Sequence, residues 1–176
     1  MAPAADPANP SAALGYATRF PVRVGIGYNV HPLVAGRPLV LGGVRIEHER
    51  GLDGYSDADV LTHAVIDAVL GAAGMGDIGT HFPSDDAGYK GASSLRLLER
   101  SVAMLADAGY RVVNVDCVVI AQEPRIHPYL AAMSANLARR LGIVEVNVKG
   151  KSPEGLGSLG RAEGIAAQAV ATIEEA

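Results

Sequence analysis

The sequence predicts a single α/β domain of the α+β-like kind, a mixed β-sheet with helices packed on it. Three observations carry this reading. FPVRVGIGYNVH and YRVVNVDCVVIAQ are rich in Val and Ile, as strands entering a core are. Two windows, VLTHAVIDAVLGAAG and SSLRLLERSVAMLADAG, repeat apolar residues at helical spacing. Hairpin and crossover connections are both present along the chain, which one mixed sheet accommodates. The 176 residues, 49% hydrophobic and 19% charged, suit one domain with ample apolar material for a core.

Residues 1–20 read as a disordered tail, and the domain occupies 21–176 with its first strand opening at about Phe20. RPLVLGGVRI then gives two short strands joined through Gly42-Gly43, a dipeptide free to take positive φ in a tight hairpin turn. A first helix is expected at about 57–73, with Ser56 and Asp59 at its start and Gly71 and Gly74 at its end. A Gly- and Asp-rich loop leads to a second helix at about 93–108, closed by Gly109. YRVVNVDCVVIAQ is the longest strand candidate, nearly continuous in Val and Ile, as a strand covered on both faces would be. HPYLAAMSANLARRLG is a third helix closed by Gly142, and VEVNVK alternates as another strand. EGIAAQAVATIEEA supports two readings: alanine favours a helix, whereas the alternation of Ile165, Ala167, Ala169 and Ala171 favours a strand.

Composition excludes several function classes. Fifteen Lys and Arg against nineteen Asp and Glu give a net charge of -4, and no basic block could neutralise a run of phosphates, so nucleic acid is not an expected partner. The longest apolar stretch is interrupted by His63 and Asp67, which argues against a membrane span. The N-terminus has neither a secretory signal pattern nor the Arg-rich character of a transit peptide. Cys117 is the single cysteine and lies in an apolar run, as a small buried hydrophobe would. A reducing cytoplasm is the expected compartment.

Several residue groups could carry chemistry. Asn29 and His31 stand two apart at the end of the first strand, so both side chains share a face, and the first helix could deliver His63 as a third ligand. A strand-end His capping a carbonyl and a helix His satisfied in the core would read the same way. Asp59 and Asp67 flank His63 at four-residue spacing, where a carboxylate could orient the imidazole; a capping Asp59 and a solvated Asp67 are the alternative. VKGKSPEGLGSLGRAEG combines glycines with Lys151, Ser152, Glu154 and Arg161, a loop able to hold phosphates or simply an exposed turn. Its formal G-x-G-x-x-G is not a dinucleotide site, because too little chain follows to supply the next strand and its acidic residue. Asp77 sits on a Gly-flanked turn open to a polyol hydroxyl. No G-x-S-x-G elbow or exposed thiol suggests a covalent nucleophile.

Six ordered blocks, GIGYNVHPL, LGGVRI, GLDGYSDADVLTHAVIDAVLGAAGMGDIGTHFP, DAGYKGASS, NVDCVVIAQEPRIHP and NVKGKSPEGLGSLGRAEGIA, together resemble the 2-C-methyl-D-erythritol 2,4-cyclodiphosphate synthase family from about Val22 to the C-terminus. The resemblance implies a homotrimer with active sites at the subunit interfaces, and it makes the final segment a strand. It also implies an enzyme acting on a small CDP-linked substrate, 4-diphosphocytidyl-2-C-methyl-D-erythritol 2-phosphate. The 2-phosphate attacks the β-phosphate, the cyclic diphosphate closes and CMP leaves. A divergent paralogue that binds cytidine nucleotide without turnover, or cyclises another CDP-linked polyol, is the competing expectation.

Carried over position by position, the resemblance implies a zinc site at Asn29, His31 and His63, and a second divalent cation, Mg2+ or Mn2+, at Glu154. Asn29 replaces the family's carboxylate and removes one negative charge from the site. Tyr55 and Ser56 fall in the loop that covers the substrate, Tyr55 standing in place of a His. Asp77 and Gly79 match the methylerythritol-binding turn. Ala121, Pro124, Arg125 and Ile126 match the segment around the cytosine, with Arg125 in place of a Lys. Lys151, Ser152 and Glu154 align with the catalytic phosphate loop, and Arg161 follows it as a substrate contact.

Overall fold

The computed structural model describes residues 22–176, so the expected tail at 1–20 and the strand start at Phe20 lie outside the described residues. β1 (Val22–Ala35) opens the chain, β2 (Leu39–Leu41) and β3 (Val44–Ile46) form a hairpin, and β4 (Arg50–Leu52) returns to β1. Then come α1 (Val60–Ala73), the single turn α2 (Ile78–His81) and α3 (Ser94–Asp107). β5 (Tyr110–Ile120), α4 (Leu130–Leu141), β6 (Val146–Lys151), the single turn α5 (Gly157–Gly160) and β7 (Gly164–Glu175) complete it. The five-stranded sheet runs β4-β1-β7-β5-β6, antiparallel throughout except for the parallel pair β5 and β6, so the expected mixed sheet is present.

The closing segment is a strand, and its neighbours explain why alternation prevails over alanine's helical preference. β7 lies between β1 and β5, and α1 packs across β1 and β7. Ala167, Ala169 and Ala171 face inward, and on β1 a Cβ added at Gly25 or Gly27 would lie 2.0 Å and 1.9 Å from the carbonyls of Ala68 and Ala64. Small residues on both strands admit the helix at close range, and burial then outweighs propensity. α1 is correspondingly apolar all round, with only Asp67, Gly71 and Ala73 not buried.

α3 buries Ser94, Leu97, Leu98, Ser101 and Leu105, and α4 buries Met133, Leu137 and Leu141, each along one stripe. Gly142 closes α4 in the left-handed conformation at φ 71°, as its placement predicts. The hairpin turn forms at Gly42 and Gly43 with φ of 54° and 69°.

Three sequence expectations need correction. α1 begins at Val60 rather than 57, because Asp59, and not Ser56, is its cap: the Asp59 carboxylate accepts from Thr62 N. β1 does not end near His31 but runs to Ala35, held by β4 at its far end. The Gly-rich loops at 74–93 and 152–163 are not wholly irregular, since the first contains two helical turns, at Ile78–His81 and Ala87–Tyr89, and the second one, at Gly157–Gly160.

The helices lie on one face of the sheet. On the other, β1 presents Val22, Val24, Ile26, Tyr28 and Val30, all exposed, with Val170 of β7 opposite Ile26. Among the described residues no helix is long and apolar enough to cross a membrane.

Candidate active site

Alternation along β1 places Asn29 and His31 on the face that meets α1, where the helix delivers His63. All three line one cavity of about 250 Å³, together with Tyr55, Ser56 and Gly79 and an apolar wall that includes Phe82 and Leu97. His31 Nε2 and His63 Nδ1 stand 3.2 Å apart. Two nitrogens so close either share one proton or face one cation. Two imidazoles on a tetrahedral zinc, each about 2.0–2.1 Å from it, hold their nitrogens about 3.4 Å apart, close to what is seen here.

Each ring is fixed by its other nitrogen. His31 Nδ1 donates to the Asp53 carbonyl at 2.7 Å, and the ring lies over Gly54, where a Cβ would come 2.9 Å from His31 Cε1. His63 Nε2 lies 2.8 Å from Ser94 Oγ and 3.1 Å from Ser56 Oγ. Burial pushes His63 down to about 4, with His31 adding to the effect, and burial also lowers His31 against the upward pull of the Asp53 carbonyl. Both rings are therefore neutral at pH 7, the protonation state a metal ligand needs.

Asn29 Oδ1 is the test of whether the residues fit a cation. It is buried and has no hydrogen-bond partner, an arrangement that costs free energy unless something fills the position. An amide oxygen and two imidazole nitrogens form a donor set suited to zinc with room for a further ligand. Among the described residues no group of three or more His, Cys, Asp or Glu is placed to hold a metal ion, so the amide of Asn29 is what would complete a donor set with the two histidines.

The flanking carboxylates do not orient His63. Asp59 accepts from Gly42 N at 2.8 Å, Gly43 N at 2.7 Å, Thr62 Oγ1 at 2.7 Å and Thr62 N at 3.1 Å, tying the hairpin turn to the start of α1. Its burial nonetheless pushes its carboxyl up to about 6. Asp67 is neither a partner of His63 nor fully solvated: it accepts from Ile78 N at 2.8 Å. Four-residue spacing puts them on the helix face of His63, but backbone amides nearer to each carboxylate capture it.

The expected turn residues divide. Gly79 lines the cavity, whereas the exposed Asp77 caps α2 and accepts from Thr80 N and Oγ1, which holds its carboxyl below the usual range. A second cavity of about 420 Å³ is lined by Ala121, Pro124, Arg125, Ile126, Lys151 and Ser152, with Gln122, His127 and Gly150. Two segments far apart in sequence thus meet because β5 and β6 are parallel neighbours ending side by side. Glu154 is exposed beyond this pair, with its N–H on Ser152 Oγ, and Arg161 is exposed and paired with Glu163. Neither reaches the histidine pair within one chain. No sequence signal gives a role to Asp57, Ser94, Phe82 or Tyr89: the two aromatics line the cavity from a loop, and the buried Ser94 stands behind it on His63 Nε2.

Comparison with known proteins shows the family. The model of the YgbB family matches residues 22–174. The 2-C-methyl-D-erythritol 2,4-cyclodiphosphate synthase of Bordetella avium is 59% identical over 156 residues, covering 88% of this chain and 96% of that protein. Its counterpart in Bordetella petrii is 58% identical, with 89% and 98% covered. Among solved structures, the bifunctional IspDF of Campylobacter jejuni matches at TM-score 0.85 and 38% identity, over 88% of this chain and 42% of that one. The CDP complex of IspF from Plasmodium falciparum matches at TM-score 0.77 and 31% identity, over 90% and 99%. Matched along nearly all of its described length, the chain belongs to the YgbB family, alongside the 2-C-methyl-D-erythritol 2,4-cyclodiphosphate synthases.

Proposed function

We propose that this chain is a metal-dependent 2-C-methyl-D-erythritol 2,4-cyclodiphosphate synthase of the non-mevalonate isoprenoid pathway, acting in the cytoplasm as a phosphorus-oxygen lyase. It converts 4-diphosphocytidyl-2-C-methyl-D-erythritol 2-phosphate to the 2,4-cyclodiphosphate with release of CMP. The observation that carries the reading is the convergence of Asn29, His31 and His63 on one cavity in a chain 59% identical to such a synthase.

In the reaction an oxygen of the 2-phosphate bonds to the β-phosphorus, the bond from that phosphorus to the bridging oxygen breaks, and the electron pair leaves on CMP. No protein nucleophile is needed, so the protein's task is alignment and charge compensation. A zinc ion held by Asn29, His31 and His63 supplies Lewis acidity to the phosphates when bound. The second divalent cation, Mg2+ or Mn2+, falls to Glu154, an exposed carboxylate free to turn toward a diphosphate.

The chain's own groups do the rest. The cavity bounded by Ala121, Pro124, Arg125, Ile126 and Gly150 takes the cytosine, with Lys151 and Ser152 at its edge for the nucleotide phosphates. Lys151 also offsets phosphate charge beside a metal site that lacks a carboxylate. Gly79 and Asp77 flank the place of the methylerythritol, Tyr55 and Ser56 close over it, and Phe82 and Leu97 keep water from that side. Arg161 adds a cation next to the phosphate loop.

A homotrimer completes the site. The apolar outer stripe of β1, with Ile26 at 64% and Val24 at 65% exposed, needs a cover that one chain does not supply. Burying it against two further copies brings Glu154 and the nucleotide cavity of one subunit toward the histidine pair of another.

Incubating the protein with the diphosphocytidyl substrate, zinc and magnesium, and following 31P NMR, tests the proposal. Equal amounts of CMP and cyclic diphosphate are expected. A folded, metal-loaded protein that binds CDP but yields neither product would refute it.

A further inference from the structure

The hydrogen bonds behind His63 form a directed chain. Asp57 accepts from Ser94 Oγ and, on its other oxygen, from Ser94 N at 3.0 Å, and Ser94 Oγ in turn stands 2.8 Å from His63 Nε2. We infer that Asp57 and Ser94 are positioning residues that set the tautomer of His63, placing its proton on Nε2 and turning a bare Nδ1 toward the cavity. The inference rests on the cation site proposed above and deepens it.

The protons available to these groups fix the direction of the chain. A carboxylate only accepts, so the Ser94 hydroxyl proton is committed to Asp57. With that proton spent, Ser94 Oγ can only accept from His63, which requires an N–H at Nε2. Ser56 Oγ lies on the same side at 3.1 Å and accepts Ala58 N–H at 3.2 Å; its second lone pair can share the Nε2 proton, and the shorter contact to Ser94, whose own proton is committed to Asp57, sets the direction. A neutral imidazole carries one N–H, and Nδ1 is left with its lone pair.

The same count applies to His31. The Asp53 carbonyl 2.7 Å from Nδ1 cannot donate, so the His31 proton sits on Nδ1 and Nε2 is bare. His31 Nε2 and His63 Nδ1, 3.2 Å apart, then hold no proton between them. Two lone pairs face each other at the edge of the cavity that Asn29 also lines with its Oδ1 unpartnered, an arrangement that repels itself without a cation and is satisfied by one. Asp57 thereby lends its charge to the site through Ser94 and His63, partly replacing what Asn29 lacks.

The substitution Asp57→Asn separates this role from a structural one. It keeps the shape and an acceptor for Ser94 N, but its amide donates to Ser94 Oγ. The hydroxyl then donates to His63 Nε2, and the proton moves to Nδ1, where the metal would bind. The experiment is a long-range 1H–15N correlation of the imidazoles in the full-length, metal-free protein, with zinc affinity measured by competition against a chromophoric chelator. The native protein is expected to show His63 protonated at Nε2. Asp57→Asn is expected to shift it to Nδ1 and weaken zinc by about 10–100-fold while the thermal transition persists. A native His63 protonated at Nδ1 overturns the inference, even if the variant fails to fold, and so does a folded variant with unchanged tautomer and affinity. An Nε2 proton in a native protein that binds no zinc would leave the tautomer assignment standing and remove the cation reading instead.

Discussion

Asn29 offers the cavity a neutral oxygen where a carboxylate would offer a charge, and that oxygen has no partner in the folded chain. Asn29→Asp is therefore expected to tighten zinc by at least about tenfold, since a full charge at contact distance is worth more than the ~1.4 kcal/mol that factor represents. Chelator competition measures it, and unchanged affinity would place the side chain outside the metal shell. His63→Ala should abolish zinc retention in dialysed protein while circular dichroism stays native; collapse of the fold would mark His63 as a packing residue instead. Asp59 has a different duty. Asp59→Ala removes the cap of α1 and leaves Gly42 N and Gly43 N without an acceptor, an expected loss of about 2–4 kcal/mol in urea unfolding. Cys117 is buried on β5, and burial pushes its thiol up to about 12. At pH 8 the native protein should resist iodoacetamide and react only once unfolded; rapid native alkylation would contradict the packing of this strand.

At the scale of elements, the close approach of α1 to β1 organises the site, because it sets how far His63 lies from His31. Gly27→Ala drives a methyl to 1.9 Å from the Ala64 carbonyl, one residue after His63 on the helix. Overpacking of this kind costs about 1–3 kcal/mol, and here it should also loosen zinc binding, which a peripheral destabilising change would not. Calorimetry paired with metal titration distinguishes the two. The same contact explains what could be read from the chain and what could not. α3, α4 and the hairpin at Gly42-Gly43 were legible because period, caps and turn chemistry agree locally. β7 was not, since its alanines are chosen by a helix that packs on it from across the chain. The start of α1 is not legible because Ser56, which resembles a cap, accepts from Ala58 N and faces His63 instead. Asn29, His31 and His63 could be named as candidates from side-chain chemistry and the shared face of two of them, yet their convergence is a product of topology. Asp57 and Ser94 stayed invisible, because a hydrogen-bond chain joining a loop to a helix start leaves no spacing to recognise.

The whole molecule carries an apolar sheet face that a solitary chain would leave in water. A charge placed there, as in Ile26→Lys, is expected to split the assembly: light scattering should give three times the chain mass of 18.1 kDa for the native protein and a smaller species for the variant. Turnover should fall with the assembly, since Glu154 and the cavity proposed for the nucleotide lie apart from the histidine pair within one chain. A native protein that is monomeric and active would overturn the shared-site arrangement. In the proposed site, one cation unites an amide oxygen of β1, an imidazole of β1 and an imidazole of α1. Anomalous diffraction at the zinc edge from crystals grown with zinc and CDP tests it most directly. A single strong peak within bonding distance of Asn29 Oδ1, His31 Nε2 and His63 Nδ1 is expected. Zinc bound elsewhere, with these three side chains unliganded, would contradict it.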